Sequence, residues 1–278
     1  MDQDPRSLFT QLRDRDYARE GLLVCEGRLV LEKALAAGLP IRSILCVPAD
    51  EGFWRSRGLA GTSVMSMPRP DMEAQVGFAF HRGVLALAER PALAECPVPA
   101  SSPSDAGGST PDGMGGSPVS ADPGGHALVL WNVTDPDNLG TLVRSAAALG
   151  ARSVWLGPGC ADPYGRKTLR TSMGCVLSLP LFRLSEATGL AALRSSRYIA
   201  AAALVEEARL PQDLPADRPV ALVLGNEGWG LPQEVLAACD GAVMLPMDAA
   251  VDSLNVGAAG AILMWELFRH HHQLFRRI

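Results

Sequence analysis

Three short stretches of this sequence place asparagine, arginine, glutamate and serine among closely spaced glycines, in patterns that could do chemistry. The first runs Asn132-Val-Thr-Asp-Pro-Asp-Asn138-Leu-Gly140-Thr-Leu-Val-Arg144. Asp135-Pro136 and Asn138 are turn formers, and Gly140 permits close backbone approach at a helix start. Arg144 falls one helical turn beyond and could point back toward a ligand of the loop. These residues alone equally allow a plain βα turn with a capping Asn and a surface Arg. The second stretch, Leu224-Gly225-Asn226-Glu227-Gly228-Trp229-Gly230-Leu231-Pro232, follows an apolar run and holds three glycines in six residues around Glu227. Such a loop wraps its backbone closely around something. It lacks the glycine spacing of a dinucleotide fingerprint and the Lys-Ser/Thr of a phosphate-gripping loop. The third, Leu245-Pro246-Met247-Asp248-Ala249-Ala250-Val251-Asp252-Ser253-Leu254-Asn255-Val256, leads into the last helix. Asp252 or Ser253 would serve there as an N-cap. The helix start would also favour an anionic group such as an amino-acid carboxylate. The small residues Val256–Ala261 beyond it would let a ligand or another backbone come very close.

The elements that must position these loops alternate between strand and helix. Ala127–Trp131 reads as a buried strand, 139–149 as a helix and Ser153–Leu156 as a second strand. Tyr198–Ala203 and Val220–Leu224 are further apolar strands. Pro232–Ala238 is expected as a helix with proline in its first turn, 242–245 as a strand and 254–268 as the closing helix. Ligands of such an α/β domain belong at the carboxyl ends of its strands. Upstream lies a smaller α/β unit, with strands expected at 21–25, 41–47, 62–67 and 83–88 and a helix over 26–37 that Gly38-Leu39-Pro40 stops. Residues 93–125 are rich in Pro, Gly, Ser and Asp with few large apolar side chains, the composition of a flexible linker. The expected organisation is therefore 1–92, a linker over 93–125, and 126–278.

Composition narrows the classes. The chain has 278 residues, 47% hydrophobic and 20% charged, with a net charge of −5. Residues 1–90 balance 12 basic against 12 acidic side chains, 91–125 carry four acidic and no basic ones, and 126–278 carry 13 basic and 14 acidic. The folded regions are nearly neutral, so charge neither supports nor excludes a nucleic-acid partner. Six cysteines, with no CxxC pair and no histidines at ligand spacing, argue for reduced thiols and against a structural metal. His270-His271-His272 do not share a helix face. No apolar run reaches membrane-spanning length, and the charged start lacks an apolar signal core, which together read as a cytoplasmic protein.

Taken in order, the three stretches resemble the three sequence motifs of the SpoU (TrmH-like) RNA ribose methyltransferases, a branch of the SPOUT superfamily. Asp162-Pro-Tyr-Gly-Arg-Lys-Thr-Leu-Arg-Thr-Ser172-Met-Gly174 resembles the family's segment between the first two motifs. The resemblance covers essentially all of 126–278. Residues 13–30, ending Val24-Cys25-Glu26-Gly27-Arg28-Leu29-Val30, and 81–87 resemble the small substrate-binding domain, related to an RNA-binding ribosomal protein, that precedes many such catalytic domains. The resemblance implies a C-terminal α/β domain with a deep trefoil knot, a homodimer, and S-adenosylmethionine held bent by the knot loops. It implies transfer of a methyl group to a ribose 2′-hydroxyl without a metal. By position it makes Asn138, Arg144, Glu227, Ser253 and Asn255 the catalytic set. The cofactor would be held by Leu224, Gly225, Asn226, Gly230, Leu245, Pro246, Met247, Ser253 and Leu254. Arg144 would be either the base for the hydroxyl proton or a group that orients the 2′-oxygen, the latter suiting a guanidinium that stays charged. Arg28, Arg152, Arg166, Lys167 and Arg170 are candidates for RNA contacts. Ribosomal RNA is the expected substrate, with guanosine favoured. Rival readings are a tRNA 2′-O-methyltransferase, a base methyltransferase of the same superfamily, a non-catalytic RNA-binding or assembly protein on the same fold, and an unrelated nucleotide-binding enzyme. Ala249, where the family usually has Gly, and Gly257, where Ser commonly follows Asn-Val, depart from the pattern.

Overall fold

The computed structural model describes residues 8–10, 13–77, 82–95, 123–203, 205–215, 217–248, 250 and 253–269. The chain divides into two compact units. One comprises 1–92, 134–144 and 161–179, and the other 93–133, 145–160 and 180–278.

In the first unit, helix α1 (Asp14–Arg19), strand β1 (Leu22–Glu26), helix α2 (Arg28–Ala36), strand β2 (Ile41–Cys46), helix α3 (Pro48–Ser56), strand β3 (Ser63–Ser66), helix α4 (Arg69–Val76) and strand β4 (Val84–Glu89) succeed one another. The sheet order is β1-β4-β2-β3, with β4 antiparallel to β1 and β2, and β3 parallel to β2. β4 is an inner strand, paired on both edges, and Val84 to Ala88 are all buried, as an apolar run without alternation requires. Phe9, Val24, Leu45, Met72 and Leu85 pack into one core. All four expected strands are present. The helix expected from residue 26 starts instead at Arg28, because Glu26 still pairs with Leu85 in the sheet and Gly27 turns the chain at φ 92°. The same unit holds helix α6 (Arg166–Thr171) and the part of helix α5 (Pro136–Ala148) up to Arg144.

The second unit is built on β5 (Ala94–Glu95), β6 (Ala127–Leu130), β7 (Ser153–Leu156), β8 (Leu181–Arg183), β9 (Tyr198–Ala202), β10 (Val220–Leu224) and β11 (Gly241–Val243), with helices α7 (Ala191–Arg194), α8 (Gln233–Ala237) and α9 (Val256–Phe268). The sheet order is β11-β9-β10-β6-β7-β8-β5, and every pairing is parallel. β6 and β10 are buried along their whole length at its centre. Full burial of each Leu or Val side chain there contributes roughly 1.5–3 kcal/mol. Trp155 stacks on Phe182 at 4.4 Å between centroids, and its indole donates to Ser153 Oγ at 3.0 Å.

A parallel sheet carries all its carboxyl ends on one edge. The order reverses beside β6, from which β7 and β8 lead one way and β10 and β9 the other, so this edge holds a topological switch point. Two short strands were not expected. β8, and β5 at the start of the stretch read as linker, complete the sheet's far side. Of that stretch, 96–122 lie outside the described residues, as do Ala249, Asp252 and the three histidines.

Helix starts correct the sequence reading twice. α5 begins at Pro136, with Asp135 accepting the Asp137 amide at 2.7 Å, so Asn138 sits in the first helical turn rather than in a loop. α9 begins at Val256, and its cap is Asn255 rather than Ser253: Asn255 Oδ1 accepts the amides of Gly257 (2.9 Å) and Ala258 (3.3 Å).

Candidate cofactor and catalytic site

The carboxyl end of β10 opens into a tightly tied loop. Leu224 still behaves as strand, its carbonyl accepting the Trp131 amide at 2.9 Å. Asn226 then organises the turn beyond it. Its amide donates to the Gly230 carbonyl (3.2 Å) and its carbonyl accepts the Gly230 amide (2.9 Å), closing the loop on itself. Its Oδ1 accepts the amides of Gly228 (2.8 Å) and Trp229 (3.2 Å), and its Nδ2 donates to the Asn132 carbonyl (2.9 Å). Short polar side chains that capture nearby amides in this way fix turns. Asn226 is thus the loop's internal frame, and its side-chain oxygen is committed to that task. Gly225 is required by space, since a Cβ there would lie 2.5 Å from the Gly230 oxygen and 2.7 Å from its carbonyl carbon. Gly230 closes the loop at φ 67°.

This loop forms one wall of a cavity of about 390 Å³. Beyond β11 the chain returns through Leu245 and Met247 to Ser253 and Leu254, which form a second wall, and Ala259 and Leu263 of α9 lie behind. Of the residues expected at the cofactor, Leu224, Gly225, Asn226, Gly230, Leu245, Met247, Ser253 and Leu254 all line this cavity. Pro246 does not; it is exposed. Glu227 and Ser253 line it too, both exposed at its edge, while Asn255 holds the end of α9 instead. Trp229, Ala202 and Val205 were not anticipated. An exposed tryptophan flanked by glycines was a visible signal for the first, whereas β9's neighbours could be placed only by the strand order.

Asn138 and Arg144 lie on α5. Six residues on a helix are about 120° apart around the axis and about 9 Å along it, so no single helix face carries both. Arg144 is exposed, and its side chain makes no hydrogen bond or ion pair among the described residues. Gly140, one turn before it, sits where a Cβ would lie 2.8 Å from Thr171 Cβ and 3.0 Å from the Ser172 amide and the Thr168 carbonyl. Close packing of α5 against α6 and Ser172 explains that glycine. At the start of α5, Lys167 Nζ reaches Asp137 (2.9 Å) and Asp135 (3.9 Å), and the Thr171 hydroxyl donates to Asp137 (2.9 Å). The Lys167 hydrogen bond, with that from Thr171, holds the Asp137 carboxyl below the usual carboxylate range.

The expected RNA contacts divide. Lys167 is engaged as above, Arg166 pairs with Asp14 at 3.9 Å, and Arg28 pairs with Glu32 at 2.9 Å while lying over the Phe53 ring. Arg152 and Arg170 are exposed. The described residues hold no cluster of His, Cys, Asp and Glu able to bind a metal ion.

Residues 125–265 match the SpoU rRNA Methylase family. Over 269 residues, 92% of this chain and 83% of the relative, the sequence is 31% identical to an uncharacterized tRNA/rRNA methyltransferase of Mycobacterium bovis. Over 140 residues, 50% of this chain and 56% of the relative, it is 34% identical to the 23S rRNA (guanosine(2553)-2′-O)-methyltransferase of Bacillus subtilis. An rRNA methyltransferase from Sinorhizobium meliloti has a similar structure, with a TM-score of 0.76, 23% identity and coverage of 96% of this chain and 93% of that one. The SpoU methyltransferase AviRb from Streptomyces viridochromogenes, solved in complex with AdoMet, aligns with a TM-score of 0.73 at 23% identity over 96% of each chain. At that identity these structures establish the fold. With the family match spanning all three motif-bearing stretches, and a relative aligned over most of both chains agreeing, the chain belongs to the SpoU rRNA methylase family.

Proposed function

We propose that this chain transfers a methyl group from S-adenosylmethionine to a ribose 2′-hydroxyl of RNA, with ribosomal RNA as substrate and guanosine as the favoured nucleoside. The observation that carries this reading is the cavity between the loops after β10 and β11. Its volume of about 390 Å³ suits a small cofactor. Its walls fit an adenosine: aliphatic side chains of Leu224, Leu245 and Leu254 for the base, and loop backbone at Gly225 and Met247 for hydrogen bonds. It has no cationic side chain among its described lining residues, which suits a ligand without phosphates. The relative from Bacillus subtilis, named for guanosine 2′-O-methylation of 23S rRNA, supports the choice of acceptor.

S-adenosylmethionine bound there supplies an electrophilic methyl group whose leaving group is a neutral sulfide. The protein's tasks are then alignment of the ribose and help with the hydroxyl proton. Arg144 suits the first task, because an exposed guanidinium with no ion pair among the described residues is available to a phosphate and to charge developing on the 2′-oxygen. A guanidinium stays charged, which argues for this role over that of a base. Asn138 would help place the ribose, and Glu227 and Ser253 would act at the cavity edge. Asn255 would fix the third loop through the cap it makes. Arg152 and Arg170 would meet the RNA backbone, and residues 1–92 would form an RNA-binding domain joined through 93–125 to a knotted catalytic domain over 126–278.

α9 supports a homodimer. It is apolar on nearly every side, and Ile262 and Trp265, one turn apart, remain 45% and 48% exposed. No helix among the described residues is long and apolar enough to cross a membrane, in keeping with action on RNA in the cytoplasm.

The test is methyl transfer from labelled S-adenosylmethionine to RNA from cells lacking the gene, with nucleoside digestion of the product. Wild type should yield a 2′-O-methylated nucleoside and Arg144→Ala should not. A methylated base, or full activity in Arg144→Ala, would overturn the reading.

A further inference from the structure

Trp229 is displayed in a way that core packing does not explain. Its side chain is 87% exposed, although few side chains gain more from burial than an indole. It is also the only aromatic among the described residues lining the cavity. The loop that carries it is not a loose tip. Asn226 and Gly230 close it by two main-chain bonds, and Asn226 Oδ1 holds the Trp229 amide itself. Gly228 and Gly230 on either side bear no side chain to cover the ring. The only charge between Leu224 and Pro232 is that of Glu227, so this loop brings no cationic side chain to a phosphate. What it does offer is a π-face on a fixed mount, at the rim of the cavity.

We propose that Trp229 stacks on the nucleobase of the target nucleotide while that nucleotide's ribose is held at the cavity mouth. The inference rests on the reading of the chain as a ribose methyltransferase and adds a substrate-binding residue to it. A ribose presented at the mouth brings its base to the rim, since the base and the 2′-hydroxyl are attached to neighbouring ring carbons. Drawing a nucleotide out of its stack costs stacking energy, and a rim aromatic returns part of it. Stacking tolerates every base, so Trp229 contributes grip and alignment, and base identity must be read elsewhere.

Two measurements test this. In the methyl-transfer assay with ribosomal RNA, Trp229→Ala should lower kcat/KM for RNA about 5- to 150-fold, the effect of losing one base–aromatic stack. Trp229→Phe should recover most of it, and the affinity for S-adenosylmethionine should be unchanged in both. Separately, a 12-residue oligouridylate titrated into the wild-type protein should quench tryptophan fluorescence, with most of that quench missing in Trp229→Phe. The second readout needs no turnover, so it decides the role of Trp229 even if methyl transfer itself were to fail. The inference is overturned by normal kcat/KM in Trp229→Ala, by equal quench in wild type and Trp229→Phe, by a loss of cofactor affinity matching the loss on RNA, or by a change of oligomeric state in Trp229→Ala.

Discussion

Replacing Gly225 by alanine would put a methyl carbon 2.5 Å from the carbonyl oxygen of Gly230 and 2.7 Å from its carbonyl carbon. Both are backbone atoms, so no side chain can swing aside to make room. An ordinary contact needs about 3.5 Å, and restoring it requires a shift of about 1 Å. Residues 226 and 230 are joined by two main-chain hydrogen bonds, so the loop must move as a body or break them. Overpacking of this kind costs about 1–3 kcal/mol in stability. The larger effect falls on binding, because the displaced segment is a wall of the cavity, and a misplacement of about 1 Å at a reacting centre can cost about 100-fold. Gly228→Ala is the control. It lies in the same loop, but its Cβ would meet only Asn226 Oδ1 at 3.4 Å, an ordinary contact. Calorimetric titration with S-adenosylmethionine should show affinity lost by a factor of ten or more in Gly225→Ala and nearly kept in Gly228→Ala, with circular dichroism confirming that both fold. Wild-type affinity in Gly225→Ala would refute the assignment of this loop as the cofactor wall. Equal losses in the two variants would refute the steric reasoning.

Other expectations attach to single residues. Asn255→Ala removes the cap of α9 and should cost about 0.5–2 kcal/mol by chemical denaturation. Asn255→Asp keeps a capping oxygen, so it should retain stability, and a loss of methyl transfer in that variant alone would show that the amide acts beyond the cap. Arg144→Lys should abolish turnover while leaving cofactor affinity intact, since a lysine cannot reproduce the planar fork; near-normal turnover would remove Arg144 from the mechanism. Burial pushes the Cys25 thiol up to about 12 and, with Asp50 and Glu51 adding to burial, the Cys46 thiol up to about 11. Their folded values exceed the unfolded one, so the stability linked to them is complete below about pH 9 and is lost as pH rises toward 11–12. Melting temperature should fall across that window, less steeply in Cys25→Ala, and an identical slope in that variant would contradict the account.

How far the sequence could be read depended on the range of the contacts involved. Apolar runs such as Val84–Ala88, Leu128–Leu130 and Val220–Leu224 announce buried strands through local composition, and all were recognised. The loop at 224–231 was legible as a backbone cradle because three glycines in so short a span have few other uses. Asp135-Pro136 was harder. The same dipeptide makes a turn or an N-cap followed by proline at the first helical position, and only the structure distinguishes them. Ser253 and Asn255 present the same ambiguity two residues apart, settled by which side chain reaches the free amides. The engagement of Lys167 with Asp137 and of Arg166 with Asp14 joins residues far apart in the chain. No local pattern could report it. β5 and β8 are too short to show periodicity and exist because a neighbouring strand offers an edge.

The strand order of the second unit also bears on how the protein is made. β6 emerges from the ribosome well before β10, which completes one of its two edges, with Ala127 opposite Ala221 and Leu130 opposite Leu224. Until nearly a hundred further residues have been synthesised, that edge is an open row of amides and carbonyls along a wholly apolar strand. Such edges pair with whatever strand comes first, including one from another nascent chain. The pairing that builds the cavity therefore closes late, with only that of β11 on β9 still to follow, and loop closure over such a distance is intrinsically slow. A chain cut before residue 224 would lack that wall of the cavity and would carry a sticky edge instead, so truncation should give aggregates rather than an inactive soluble fragment.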